Sequence, residues 1–207
     1  MTICRIPDTE RFSDRYQRVL MAKKIMLAIL IAGAAILGFS ISRADSSTML
    51  LLIVAYLVIS GISAYLWILY GRNSMAAYII TDDTVCHVDL MKAFTNDPLF
   101  GKPQSWDSMK GNFSALKTID NMRDISSPAE ADIFICRQDV TDRYGSIIKQ
   151  VYSVADGERY LRARVQTAPV HSGGGSPKNM TLYIPKDFKD IDILRSELER
   201  LANKTTA

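Results

Sequence analysis

Two stretches without a charged side chain govern what this chain can fold into. Residues 25–42 read IMLAILIAGAAILGFSIS, 18 residues, and residues 49–70 read MLLLIVAYLVISGISAYLWILY, 22 residues. As helices rising 1.5 Å per residue they extend roughly 27 and 33 Å, against a hydrocarbon core of about 30 Å. A helix on the surface of a soluble protein carries a polar stripe, and neither stretch has one. Membrane-spanning helices are therefore expected at 25–42 and 49–71, joined by a short extracytoplasmic loop at 43–48. A cleaved signal peptide is the rival for the first stretch, because basic residues precede it and Ser42-Arg43-Ala44 has the small residues of a cleavage site. The length of the apolar run, and the second stretch that follows at once, speak for a span.

Charge sets the expected orientation. Residues 1–24 carry six basic and three acidic groups, a net +3; the basic ones are Arg5, Arg11, Arg15, Arg18, Lys23 and Lys24. The connection between the apolar stretches has only Arg43, beside Asp45, and Arg72 follows the second stretch. Basic residues stay on the cytoplasmic side, so both termini are expected there. Tyr65, Trp67 and Tyr70 then lie at the cytoplasmic interface, where aromatic rings prefer to sit. Residues 73–207 have 17 basic and 18 acidic groups, a net −1. A near-neutral domain of this kind argues against a nucleic-acid surface. The positive excess belongs to the membrane-proximal arm, where it favours anionic headgroups.

Three scattered cysteines, Cys4, Cys86 and Cys136, have neither the number of a disulfide framework nor the spacing of a metal site. Reduced thiols in a cytoplasmic domain are the expectation.

In the arm, Phe12, Tyr16, Val19 and Leu20 share one helical face, and Arg11, Asp14, Arg15 and Arg18 occupy the remainder. Two placements suit this pattern: a helix lying at the membrane interface, or a short helix packed on the protein's own soluble domain. Within the apolar stretches, Ala28/Ala32, Ala34/Gly38 and Ser60/Ala64 are small residues four apart. That spacing allows close helix approach, so an antiparallel hairpin is expected. Neither stretch holds an ionisable group of the kind transporters and proton relays need, which leaves anchoring as the hairpin's role.

The domain at 73–207 reads as β until its end. Residues 76–80 (AAYII) and 85–88 (VCHV) flank a turn at 81–84, and Asp156-Gly157 separates the β-rich runs 147–154 and 159–165, a strong hairpin signal. Further strands are expected at 113–119, 131–136 (ADIFIC) and 180–184, with an irregular stretch at 89–112 and a flexible loop at 167–179. After Pro185, Phe188, Ile191, Leu194, Leu198 and Leu201 recur at helical steps, with Asp187, Asp190 and Asp192 near the start, where carboxylates suit the helix dipole.

Tyr78-Ile79-Ile80-Thr81-Asp82-Asp83, directly after the spans, resembles the opening strand and turn of bacterial pleckstrin-homology (PH)-like domains. Ile184-Pro185-Lys186-Asp187-Phe188, followed by a helix, resembles the closing segment of YcxB-like membrane proteins. The resemblance covers residues 25–207. It implies an α-helical transmembrane hairpin in a bacterial inner membrane, followed by an α+β soluble domain. That domain would be a PH-like β-roll of about seven antiparallel strands capped by a C-terminal helix. The segments 89–112 and 167–179 are longer than that pattern needs. In eukaryotic PH domains a basic loop between the first two strands binds phosphoinositides; here that connection is the acidic turn at 81–84, which argues against recognition of that kind.

No catalytic, cofactor-binding or metal-binding residues are expected. His87 and Cys86 are adjacent in a strand and so face opposite ways; His171 reads as solvated. Ser172-Gly-Gly-Gly-Ser176 lacks the ending of a P-loop. Asp82, Asp83 and Asp89 lack the spacing of a calcium loop. The candidate lipid or partner contacts are Arg11, Arg15, Arg18, Lys23 and Lys24 of the arm, with Lys149, Arg159, Arg162 and Arg164 of the soluble domain. Arg162 and Arg164 share one face of their strand, and Leu161, Ala163 and Val165 the other. The leading expectation is a membrane-anchored scaffold that binds a protein partner or a second copy of itself. The alternative is a module sensing anionic membrane lipids, and an enzyme with a site spread over irregular loops comes third. Neither a nucleic-acid partner nor a small-molecule substrate is inferred.

Overall fold

The computed structural model describes residues 1–41, 46–67, 73–96, 125, 127–171 and 176–206. Arg43, Asp45, Tyr70, Arg72, the strand expected at 113–119 and residues 172–175 of the glycine-rich loop lie outside them. The fold is α+β, built on one open antiparallel sheet of six strands in sequence order. These are β1 (Thr2–Cys4), β2 (Ala76–Ile80), β3 (Val85–Asp89), β4 (Gly145–Asp156), β5 (Tyr160–Pro169) and β6 (Lys178–Pro185).

The helices are α1 (Phe12–Ile41), α2 (Ser46–Trp67), α3 (Leu90–Asn96), α4 (Pro128–Ile135), α5 (Gln138–Tyr144) and α6 (Ile191–Thr206). Within α1, Phe12–Ser40 is long and apolar enough to cross a membrane; the apolar part of α2, Ser47–Ser63, is shorter. The two helices pack together. The Tyr56 hydroxyl donates to the Leu30 carbonyl at 3.4 Å, and a Cβ at Gly33 would lie 3.2 Å from the Tyr56 ring.

Three features depart from the expectations. First, the described residues form six strands rather than about seven, and the first is Thr2–Cys4 from the N-terminal arm, registered on β2 as Thr2↔Ile80, Ile3↔Ile79 and Cys4↔Tyr78. Three residues are too few to show a period of two, and their partner lies beyond both apolar helices, so no local signal marks them. Second, 131–136 is not a strand. Residues Pro128–Ile135 are helical, because Ser127 and Glu130 form a reciprocal capping box and Pro128 begins the first turn. Its buried side chains, Ala131, Phe134 and Ile135, follow helical spacing, and this overrides the β preference of Ile-Phe-Ile. Third, the stretch at 89–112 opens with a helix, where the Asp89 carboxylate accepts the Lys92 backbone N–H at 3.1 Å.

The arm settles into the second of its two placements. Phe12, Tyr16 and Val19 are buried, and the Phe12 ring meets Phe94 of α3 at 5.7 Å, which stacks in turn on Phe134 of α4 at 5.2 Å. The same helix runs unbroken from this aromatic cluster into the apolar stretch. The sheet therefore draws on residues from both sides of the apolar helices.

The sheet has a buried inner face and an exposed outer one over β5, where Leu161, Ala163 and Val165 are buried while Arg162 and Arg164 are exposed. Residue pairing puts Leu182 and Ile184 of β6 on the same inner face. The amphipathic α6, with Leu194 and Leu198 fully buried, packs on β4 at this face. At one corner the ends of the sheet approach each other: Arg5 and Lys189 form an isolated bridge, Lys189 N–H donating to the Arg5 carbonyl at 2.8 Å.

Candidate functional site

The arm residues divide sharply. Arg11 and Lys24 are exposed, and the Lys23 side chain lies outside the described set. Arg18 is exposed and pairs with Glu10. Arg15 does not fit the expected contact surface: it is buried, bonded to Glu10 at 2.6 Å and Asp187 at 2.5 Å, with its guanidinium 5.5 Å from the Phe188 ring centre. It acts as a bolt between α1 and the segment after β6, because the helix face that carries it turns toward the core.

In the soluble domain, Lys149, Arg159, Arg162 and Arg164 are all exposed. Only Arg162 and Arg164 come together. Antiparallel pairing sets Arg162 opposite Tyr183 and Arg164 opposite Thr181 on one side, and Arg164 opposite Ser153 on the other. These side chains line a cleft of about 530 Å³ on the outer face. Lys149, beside the irregularity in β4, and Arg159, in the β4–β5 turn, do not line it.

Electrostatics distinguish this pair from most other arginines. Arg5, Arg15, Arg18, Arg137, Arg195 and Arg200 each have a carboxylate partner. Among the described residues Arg162 and Arg164 have none. The groups flanking them are hydroxyls, and hydroxyls leave a guanidinium's charge uncompensated. Tyr65, near the end of α2, lies within electrostatic reach of Tyr183 and of the Arg162 charge. The outer face of β5 and β6 thus comes within electrostatic range of the end of the second apolar helix. Nothing local in the sequence links Tyr65 to Tyr183; only the tyrosine's place in an interfacial aromatic group was legible.

A second polar region lies at one end of the inner face. His87 and Asp89 of β3 and Thr167 of β5 are buried, and with Ser146 and Lys178 they line a cavity of about 380 Å³. The His87 ring packs 5.3 Å from Tyr78, and Cys86 faces the other side, against Gly145. His171 is exposed. Sequence reasoning missed this cavity because Thr167 and Lys178 both fall in the stretch 167–179 expected as a flexible loop, whereas β5 runs on to Pro169 and β6 already starts at Lys178. Asp82 and Asp83 are exposed turn residues, closed by the Thr81 N–H to Thr84 carbonyl bond at 2.9 Å. No group of three His, Cys, Asp or Glu able to hold a metal occurs among the described residues.

Compared with known family models, curated proteins and solved structures, the chain matches none.

Proposed function

We propose that this protein is a membrane-anchored module in which an α1–α2 hairpin holds a PH-like domain at the cytoplasmic surface, and the outer face of β5 and β6 contacts anionic headgroups. The observation that carries this reading is the position of Arg162 and Arg164. Both are exposed and lack carboxylate partners among the described residues, and Arg162 lies within electrostatic reach of Tyr65 near the end of α2. A basic side chain near an anionic leaflet contributes about 1 kcal/mol, and a guanidinium suits phosphate oxygens well. Two such residues, already tethered, bias the orientation of the domain; they do not have to recruit it. Phosphoinositide recognition through the β2–β3 turn is no part of this reading, since that turn carries Asp82 and Asp83.

The test uses the full chain, because β1 and the Phe12 cluster come from residues that a fragment starting at 73 would lack. A nitroxide attached at Thr181→Cys reports exposure of the outer face to a water-soluble relaxation agent. In nanodiscs containing phosphatidylserine, exposure should fall relative to phosphatidylcholine alone and recover at high salt. Arg162→Glu with Arg164→Glu should abolish the difference. Equal exposure in both lipids overturns the proposal.

A scaffold function is the second reading, favoured by one observation: among the described residues, β6 pairs only with β5 and so forms a sheet edge. Such an edge accepts an added strand from a partner. Extraction from native membranes should then recover a stoichiometric partner or a defined homo-oligomer, and recovery as a lone monomer rejects it.

A further inference from the structure

Three strands change character at the same end of the inner face. Along β5 the inward positions run Leu161, Ala163, Val165 and then Thr167; along β6 they run Ile184, Leu182, Met180 and then Lys178. Along β3, Val85 gives way to His87 and Asp89. The register brings these ends together: Thr167 of β5 pairs with Lys178 of β6, and His87 of β3 with Ser146 of β4. By strand pattern these are core positions. Buried Asp89 and Thr167 are engaged within the chain, Asp89 accepting the Lys92 N–H and the Thr167 hydroxyl donating to the Lys178 carbonyl at 3.5 Å, yet strand propensity does not call for His, Asp, Thr and Lys in one patch. They surround a cavity of about 380 Å³, at the small end of the range for sites that hold small molecules.

The rim decides what such a molecule would be. Lys92, Arg143 and Lys178 bring three positive charges to the cavity, against the one carboxylate of Asp89. That carboxylate is already engaged, accepting the Lys92 backbone N–H and lying 3.6 Å from the Lys92 ammonium. Arg143 and Lys178 are exposed and make no ion pair among the described residues; Asp139, one turn before Arg143, senses its charge without pairing with it. Hydroxyls of Ser146 and Thr167 line the same space. Cationic donors over a floor of neutral hydroxyls suit an oxyanion, and Arg suits the tetrahedral phosphate group in particular.

We infer that this end of the inner face is a binding site for a small phosphate-bearing ligand, held by Arg143 and Lys178 with Ser146. Asn179 and Met180 line both this space and the outer cleft, but Thr167 and Lys178 face away from Arg162 and Arg164 by strand alternation, so the site does not depend on the headgroup reading. The ligand chemistry has two sources, a soluble phosphate ester or the exposed phosphate of a lipid.

The experiment is calorimetric titration of the full chain in phosphatidylcholine nanodiscs with inorganic phosphate, pyrophosphate and glycerol 3-phosphate at matched ionic strength. At least one probe should bind saturably with one site per chain. Arg143→Gln and Lys178→Gln should each weaken it by about tenfold or more. Both side chains are exposed, so the unfolding midpoint should stay put. Arg162→Gln should leave binding unchanged. In a second arm, nanodiscs carrying phosphatidic acid compete with the soluble probe. Competition that disappears in Arg143→Gln assigns the lipid as the source, and absence of competition assigns a soluble ester. Failure of all three probes to bind saturably, or binding unaffected by Arg143→Gln, overturns the inference.

Discussion

Arg5 and Asp132, 127 residues apart in sequence, form a two-pronged ion pair in which Arg5 Nε lies 2.5 Å and Nη2 3.1 Å from the two Asp132 oxygens. Arg5 is 2% exposed, and its guanidinium also bonds the Ile6 carbonyl and pairs with Asp8. Burial alone would lower its pKa, but the bonds to Asp132 and Asp8 outweigh that and raise it. The pair clamps the N-terminal segment, just after β1, onto α4. Asp132→Ala would leave a buried cation with half its partners. The expected cost is roughly 2–3 kcal/mol, read as a lower denaturation midpoint of the detergent-solubilised chain. A midpoint equal to that of the parent protein would show that the clamp contributes nothing.

Phe12 couples the apolar helix to the folded domain. It is buried against Phe94 at the head of α1, so Phe12→Ala should destabilise the domain by about 3–5 kcal/mol through lost burial and a residual cavity. Far-ultraviolet dichroism should retain most of the helix signal while thermolysin cleaves the domain faster. Protection equal to the parent's would mean that the arm merely rests on the surface.

Carboxylates held below their ordinary pKa, Asp8 and Asp156 among them, shape the acid limb of stability. The Lys189 ammonium, 2.9 Å from Asp8 and aided by Arg5, outweighs burial and holds that carboxyl below its ordinary value near 3.8. Lys186, aided by Arg195, does the same for Asp156. A carboxylate with a depressed folded pKa stabilises fully above its unfolded pKa and loses that contribution as pH falls through the folded one. The thermal midpoint should therefore be insensitive to these groups from pH 7 to about pH 5 and fall below about pH 4. Asp8→Asn should start lower and fall less steeply. A parallel fall in parent and variant would remove Asp8 from the account.

The thiols should differ in reactivity. Cys4 is fully buried, and burial followed by the Asp190 charge pushes its thiol up to about 12. Burial pushes Cys86 up to about 11. Cys136 is raised by burial and then by Asp132, and is only partly buried. Maleimide at neutral pH should modify Cys136 first and Cys4 only on unfolding; rapid labelling of native Cys4 would contradict the packing of β1. The native cysteines are thus poor reporters of orientation. An exposed position such as Asp82→Cys, expected to react only from the cytoplasmic side, tests it directly.

The amino-acid order alone determined whatever rests on a local repeat. The uncharged run that became the membrane-length part of α1 was legible, and so was the Asp-Gly hairpin between β4 and β5. The amphipathic period of α6 and the alternation that exposes Arg162 and Arg164 were legible for the same reason. Each is a periodicity or a turn preference contained within a few neighbouring residues. The tertiary structure alone decided the rest, because each remaining feature joins residues far apart in the chain. Thr2–Cys4 becomes a strand only where β2 offers its edge. Arg15 becomes a buried bolt only when Asp187 arrives beside it. Tyr65 comes within electrostatic range of Tyr183 only in the folded chain, and the polar end of the inner face exists only once β3, β5 and β6 lie in register. Hydrophobic period selects which side of an element is buried, but it carries no information about which distant element will cover that side.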